Sequence, residues 1–267
     1  MTVLRDYKII EGIKVFDSEI PENHPDFDAY TLDEIFEKEE KHFWFITRKK
    51  IILKVMRNFI DTEQRIIEVG AGTGNISKYL FENGYTNISV GDMHFKGLKY
   101  AKKYGISECY QFNLLNSPFE NEFDAVCLFD VLEHISDENL ALKNIYKMLN
   151  SNGRVILTVP AHMWLWNKMD DILGHKRRYT KTQLISKLRE NKFKVLWSKY
   201  FFKSIVPLLL LRKIIYSDKL IKLKQADFEI NPFINKILLL ITETECRIDK
   251  FLPDLFGGSL IVVGDKE

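Results

Sequence analysis

The chain has 267 residues, 46% of them apolar and 28% charged, with a net charge of +2. That length buries a substantial core, as one large domain or a domain with an attachment, and the near-neutral balance excludes a field strong enough to argue for nucleic acid. Cys109, Cys127 and Cys246 lie far apart and form no metal-ligand pair, no charged-then-apolar leader opens the sequence, and Lys203, Pro207, Arg212 and Lys213 break the most apolar region short of the roughly 20 residues a bilayer crossing needs; a reduced, cytoplasmic protein is expected.

Residues before about 61 form a polar lead carrying Pro21 and Pro25, then a helical pattern over 32–60, densely aromatic at His42, Phe43, Trp44 and Phe45. From 66 to 202, short β-rich runs alternate with helical ones, the mark of a parallel sheet with helices on both faces. Strands are predicted over 65–69, 87–91, 108–112, 124–129, 154–159 and 194–200, with a seventh at 259–263. Helices are predicted over 75–82, 95–103, 138–149 and 180–190, and Asp137 and Thr180 suit N-caps. Between the last two strands lies a helix-rich insertion over 205–255. There Asn231-Pro232 starts a helix whose apolar stripe is Phe233, Ile237, Ile241, Ile248 and Leu252. The organisation read is an N-terminal extension and helix (1–60), a core (61–204), a helical insertion or cap (205–256) and a last strand (257–267).

Residues 66–74 read Ile-Ile-Glu-Val-Gly-Ala-Gly-Thr-Gly, an apolar run ending in alternate glycines, and Asp92 follows the next apolar run. Such glycines let a backbone turn sharply and a ligand come close. An acid one strand further on sits where a nucleotide-binding βαβ unit accepts hydrogen bonds from a ribose diol. The spacing is Gly-x-Gly-x-Gly, with Asn75 next, which disfavours the dinucleotide fingerprint, and no Gly-Lys-Ser/Thr follows to make a phosphate loop. Without a ligand the same residues are a tight strand-to-helix turn.

With Glu68 two residues before the first glycine, this motif resembles that of the class I S-adenosylmethionine-dependent methyltransferases. The resemblance implies an α/β fold with a Rossmann-like, doubly wound, seven-stranded, mostly parallel sheet containing one antiparallel strand. It implies that Gly70, Ala71, Gly72 and Gly74 floor the methionine half of S-adenosylmethionine, with Glu68 holding its ammonium directly or through water. Asp92 would take the ribose and Met93 would lie under the adenine. Asn113, beside Leu114, stands where the family usually has an adenine-binding Asp; as an amide it can accept from the amino group, or it is an ordinary turn asparagine. Phe129 and Asp130, at a strand end, would lie near the sulfonium.

Glu133-His134 follows, resembling the Glu-His of many small-molecule members, and His134 is read either as a general base or as a brace for the next helix. Asp130, Glu133 and His134 also resemble a group with which some quinone-pathway O-methyltransferases are thought to bind a divalent metal. Ligands at that spacing would not all point one way, and no metal is expected. The stretch from Pro160 to Tyr179 reads as a twenty-residue connection without regular structure, which in a compact domain is usually functional. Its Gly-His-x-Arg-Arg-Tyr, together with a Phe-Trp-Phe-x-x-Arg element ending at Arg48 and the Gly-x-Ser-Leu at 257–260, resembles a bacterial type 11/12-like subgroup. His175 or Tyr179 would take a proton from a hydroxyl acceptor, and Trp166, Arg177 and Arg178 would face it, one arginine binding a carboxylate or phosphate. Alternatively Arg178 pairs with Asp170 or Asp171 and pins the loop.

Methyl transfer from a sulfonium is an in-line displacement, so the lack of a Ser-His-Asp or Cys-His set is no obstacle. The reading is a methyltransferase acting, by O- rather than N-methylation, on a small-molecule, glycan or lipid-linked acceptor. A catalytically silent cofactor-binding or scaffold protein and a nicotinamide-dependent oxidoreductase are the alternatives. Nucleic acid is not an expected partner, since the Asn/Asp-Pro-Pro-Tyr/Phe motif is missing. The apolar run 205–211, followed by Arg212, Lys213, Lys219, Lys222 and Lys224, makes 205–224 either a peripheral membrane contact or a cap helix with a solvated basic face. Nothing in the sequence speaks to oligomeric state.

Overall fold

The two periodicities of the sequence close into the elements they dictate. The computed structural model describes residues 5–17, 20, 23–24, 27–28, 31–215 and 230–267. In chain order its elements are β1 (Lys8–Ile10), β2 (Ile13–Val15), β3 (Asn23–His24), β4 (Phe27–Asp28), α1 (Thr31–Lys38), α2 (Phe43–Phe59), β5 (Ile66–Val69), α3 (Asn75–Glu82), β6 (Ile88–Asp92), α4 (Phe95–Lys103), β7 (Cys109–Gln111), β8 (Phe123–Phe129), α5 (Glu138–Met148), β9 (Leu149–Pro160), α6 (Lys168–Ile172), α7 (Lys181–Glu190), β10 (Phe193–Phe201), α8 (Val206–Ile215), α9 (Pro232–Ile248) and β11 (Ser259–Lys266). Pro21, Pro25, Lys219, Lys222 and Lys224 lie outside the described residues.

The main sheet has nine strands in the order β1-β2-β7-β6-β5-β8-β9-β11-β10, not the seven expected. β5 to β9 run parallel, and β11 runs against both of its neighbours, β9 and β10. The two additional strands are a hairpin whose turn residues, Glu11 and Gly12, have φ of 49° and 75°, as a tight turn of primed type requires. β2 then lies parallel to β7, Lys14 opposite Tyr110, and buries Ile13 and Val15. Lys8–Ile10 and Ile13–Val15 are three residues each, too short to show a period, and they lie outside the alternation of strand and helix runs that marks the other strands.

Alternation along each strand sorts side chains to two faces. Ala125, Cys127 and Phe129 of β8 join the apolar cluster that holds α2, α3 and α4, while Val126 and Leu128 join the one that holds α5 and α7. The helical pattern over 32–60 forms two helices, because His42 turns extended and its ring accepts from Trp44 N to cap α2. The connection after β9 is more ordered than expected: it holds a short 3-10 turn at Met163–Leu165 and then α6, started by a capping box between Asn167 and Asp170. The insertion folds back on the core. α9 is capped by Asn231, and its Thr242 hydroxyl lies 2.8 Å from that of Thr47 on α2. The Glu245 carboxylate accepts from the backbone N–H groups of Lys203 and Ser204, both at 2.8 Å.

Candidate active site

Ligand crevices of such sheets open at the carboxyl ends of the strands. At the end of β5 the chain turns through Gly70, Ala71 and Gly72, which line a cavity of about 600 Å³. Gly70 and Gly74 both adopt left-handed φ, 71° and 79°. A Cβ on Gly70 would lie 2.5 Å from a Val131 methyl, and one on Gly74 would lie 2.7 Å from the Ala101 Cβ. Both glycines therefore make room for the protein's own packing. Gly74 starts α3 and is not on the cavity wall, whereas a Cβ on Gly72 would meet only Leu32 of α1, at 3.4 Å.

Asp92, last residue of β6, faces inward. Its two carboxylate oxygens accept from Gly72 N and His94 N, each at 2.8 Å, which ties the acid to the glycine turn and leaves each oxygen a lone pair for a further donor. Burial pushes its pKa up. Beneath the turn, Glu68 is buried and accepts from the Ser77 hydroxyl. Burial, opposed by Ser77 and the Arg48 charge, raises it to about 7. Met93, Asn113 and Leu114 continue the wall. The Asn113 side-chain oxygen accepts from Leu115 N at 2.9 Å, so this asparagine caps the turn after β7 and offers the cavity chiefly its amide donors.

Phe129 and Asp130 end β8 beside the turn. Asp130 holds φ at 57°, a strained conformation for a non-glycine, and two hydrogen bonds and an ion pair keep it there. Its N–H donates to Thr158 O at 2.9 Å, its carboxylate accepts from the Thr158 hydroxyl at 3.0 Å, and Arg48 Nε lies 3.1 Å away. Arg48 also donates from Nη2 to Phe129 O at 2.6 Å. Its role was not read from the sequence; the motif ending at this residue was the only signal.

The far end of the cavity is built by Glu133, His134 and the loop after β9. Asp170 is fully buried and accepts from Arg178 Nε and Nη2 at 2.7 and 2.9 Å and from His175 Nδ1 at 2.8 Å. Burial opposes its charge, yet the bonds from His175 and Arg178 prevail and hold its pKa below the usual carboxylate range. An ionised Asp170 only accepts, so His175 donates to it from Nδ1, and Nε2 lies 4.0 Å from a Glu133 oxygen. Glu133 is fully buried, and neither carboxylate oxygen accepts a hydrogen bond among the described residues. Burial, then the Asp130 charge, pushes its pKa well up. The rings of His134 and His175 meet edge to face at 4.8 Å.

Asp130, Glu133 and His134 do not converge as a ligand set, because Asp130 turns to Arg48 and Thr158. The atoms that approach within 4.8 Å of one another belong to Glu133, His134 and His175, a group with the chemistry to hold a divalent cation.

Three expected residues turn away from the cavity. The Tyr179 hydroxyl donates to Glu138 at 2.6 Å, and burial together with that carboxylate pushes its pKa far up, which disqualifies it as a base. Arg177 pairs with the same Glu138 at 3.0 Å, and the Trp166 indole donates to Asp171 at 3.2 Å. Arg178 does border the cavity, but its guanidinium is spent on Asp170 and on Ala161 O, pinning the loop.

Residues 41–202 match a family model described as a methyltransferase domain. Among curated proteins, the chain is 25% identical over 190 residues to probable polyketide synthase 42 of Dictyostelium discoideum, covering 56% of this chain and 7% of that one. It is 26% identical over 121 residues to phosphoethanolamine N-methyltransferase 3 of Arabidopsis thaliana, covering 40% and 24%. The chain thus spans less than a quarter of the length of either curated relative. A solved S-adenosylmethionine-dependent methyltransferase of Thermotoga maritima, titled a possible histamine N-methyltransferase, shares the fold with a TM-score of 0.55 at 17% identity, over 90% of this chain and 100% of that one.

Proposed function

The chain belongs to the methyltransferase-domain family, of the class I S-adenosylmethionine-dependent kind, and from that premise we propose that it methylates a hydroxyl of a small-molecule, glycan or lipid-linked acceptor. One observation carries this reading. A single cavity is lined both by the glycine turn with Asp92 and by His175, whose Nδ1 is held by the buried Asp170 carboxylate. The residues fit the cofactor: Asp92 has an acceptor lone pair on each oxygen for a diol, Gly72 carries no side chain toward the cavity, and Glu68 is a buried carboxylate beside it. Bound there, S-adenosylmethionine supplies an electrophilic methyl group. The protein's part is to bind, orient and exclude water. Arg48 holds the Phe129 carbonyl and the Asp130 carboxylate in place. Asp170 fixes the tautomer of His175, whose Nε2 accepts the proton of an acceptor hydroxyl, as an oriented general base does. Leu208, Leu209 and Leu211 of α8 close the cavity with apolar surface.

N-methylation is the second reading, favoured by the phosphoethanolamine N-methyltransferase among the relatives. Incubation with methyl-labelled cofactor and panels of hydroxyl and amine acceptors tests both. Label is expected on oxygen; label on nitrogen alone transfers the assignment to the second reading. Absence of S-adenosylhomocysteine binding by calorimetry ends both.

A further inference from the structure

Scattered exposed apolar side chains need no explanation, but contiguous ones do. On α9, Phe233, Ile234, Ile237, Leu240 and Ile241 are all exposed, Phe233 by 72% and Leu240 by 65%. Met163 and Trp164 are exposed on the turn after β9, and α8 packs on that turn, where Lys213 donates to Trp164 O at 2.9 Å. Leu208 and Leu211 of α8 are exposed and at the same time part of the cavity wall, which also includes Leu238 of α9. The exposed apolar surface of α8 is therefore continuous with the site, and α9 adds Leu238 to the same wall.

Charge selects the occupant. Among the described side chains of α8 and α9, the exposed charges are Lys213, Lys236 and Arg247, all positive. The acids have partners: Glu243, half-exposed, pairs with Lys50 of α2, and Glu245 is buried and bound by Lys203 N and Ser204. A second copy meeting this face across a two-fold axis would set cations against the same cations. An anionic bilayer satisfies both features, because apolar side chains enter the acyl boundary while cations meet headgroups.

We propose that α8, the first turns of α9 and the Met163–Leu165 turn dock on an anionic lipid surface, and that the acceptor is a membrane-resident amphiphile whose chain lies along Leu208 and Leu211 while its head reaches His175. The identity of the acceptor rests on the methyltransferase reading; the docking does not.

The test is flotation of the full chain with phosphatidylcholine vesicles, with and without phosphatidylglycerol, beside calorimetry with S-adenosylhomocysteine. The protein is expected to float with the anionic vesicles at low salt and to remain behind with the neutral ones. Trp164→Ser with Phe233→Ser and Leu240→Ser should lower the bound fraction by at least about tenfold, and Lys213→Glu with Lys236→Glu should abolish the anionic preference, both sets binding S-adenosylhomocysteine as the wild type does. Equal flotation with both vesicle types, or none with either, overturns the docking. So does a lipid-free dimer by light scattering that the serine variant dissolves, since a second copy then covers the face. Loss of S-adenosylhomocysteine binding in the wild type, with flotation intact, removes the methyltransferase reading and leaves the docking standing.

Discussion

Replacing Glu68 by glutamine should stabilise the ligand-free protein and weaken its hold on the cofactor. Glu68 is fully buried under the glycine turn, and burial lifts its pKa from the ordinary 4.5 to about 7. A folded-state pKa above the unfolded one means that the stability contributed is complete below pH 4.5 and lost as pH rises through 7. The difference corresponds to about 3 kcal/mol that ionised Glu68 costs the fold above pH 7. Glutamine keeps an oxygen to accept from Ser77 and carries no charge. Glu68→Gln should therefore melt about 6–12 °C above wild type at pH 8 and close to it at pH 4.5. Glu39, whose pKa is also raised by burial, titrates in both proteins and cancels in the comparison, while Asp92, whose charge adds to the Glu68 shift, is relieved of that repulsion in the variant and adds to the gain at pH 8. Thermal unfolding by circular dichroism at the two pH values reads the difference. Calorimetry at pH 8 should show weaker S-adenosylhomocysteine binding by the variant, which cannot neutralise the ligand's ammonium. A variant that melts below wild type at pH 8, or a gap that is the same at both pH values, would refute the burial argument.

His175→Gln should lower labelled-methyl transfer about 10²- to 10⁴-fold without changing S-adenosylhomocysteine affinity. Tyr179→Phe should cost about 1 kcal/mol of stability for the bond to Glu138 and leave transfer intact; a rate loss comparable to that of His175→Gln would restore the tyrosine as a base. Asp170→Asn leaves the Arg178 charge buried with a neutral partner and should destabilise by about 3–5 kcal/mol in denaturant titration, against almost nothing for exposed Asp171→Asn. Gly74→Ala meets both a left-handed φ and the Ala101 methyl and should cost more than about 2 kcal/mol. Gly105→Ala, at φ 87° with no atom within 4 Å of the added Cβ, isolates the conformational part at about 1–2 kcal/mol.

Seven strands, four core helices and the entry to the cavity were legible in the sequence because each rests on local chemistry. A period of two or of 3.6 needs only neighbouring residues, and α3 and α4 begin and end where their apolar spacing does. The glycine spacing and the acid one strand later are likewise short-range signals, and the fold brings Asp92 against the glycine turn.

What the sequence could not decide was which partner each charged side chain takes. Gly-His-x-Arg-Arg-Tyr offers four groups that all suit an acceptor, and only the fold sends His175 and Arg178 to Asp170 while Arg177 and Tyr179 go to Glu138. Arg48 reaches Phe129 across 81 positions, a contact with no local trace. The β1–β2 hairpin joins the sheet only because the edge of β7 is there to receive it. Periodicity is a property of the chain, so it survives in the sequence; ion pairs and edge pairings depend on distances that exist only once the chain has folded.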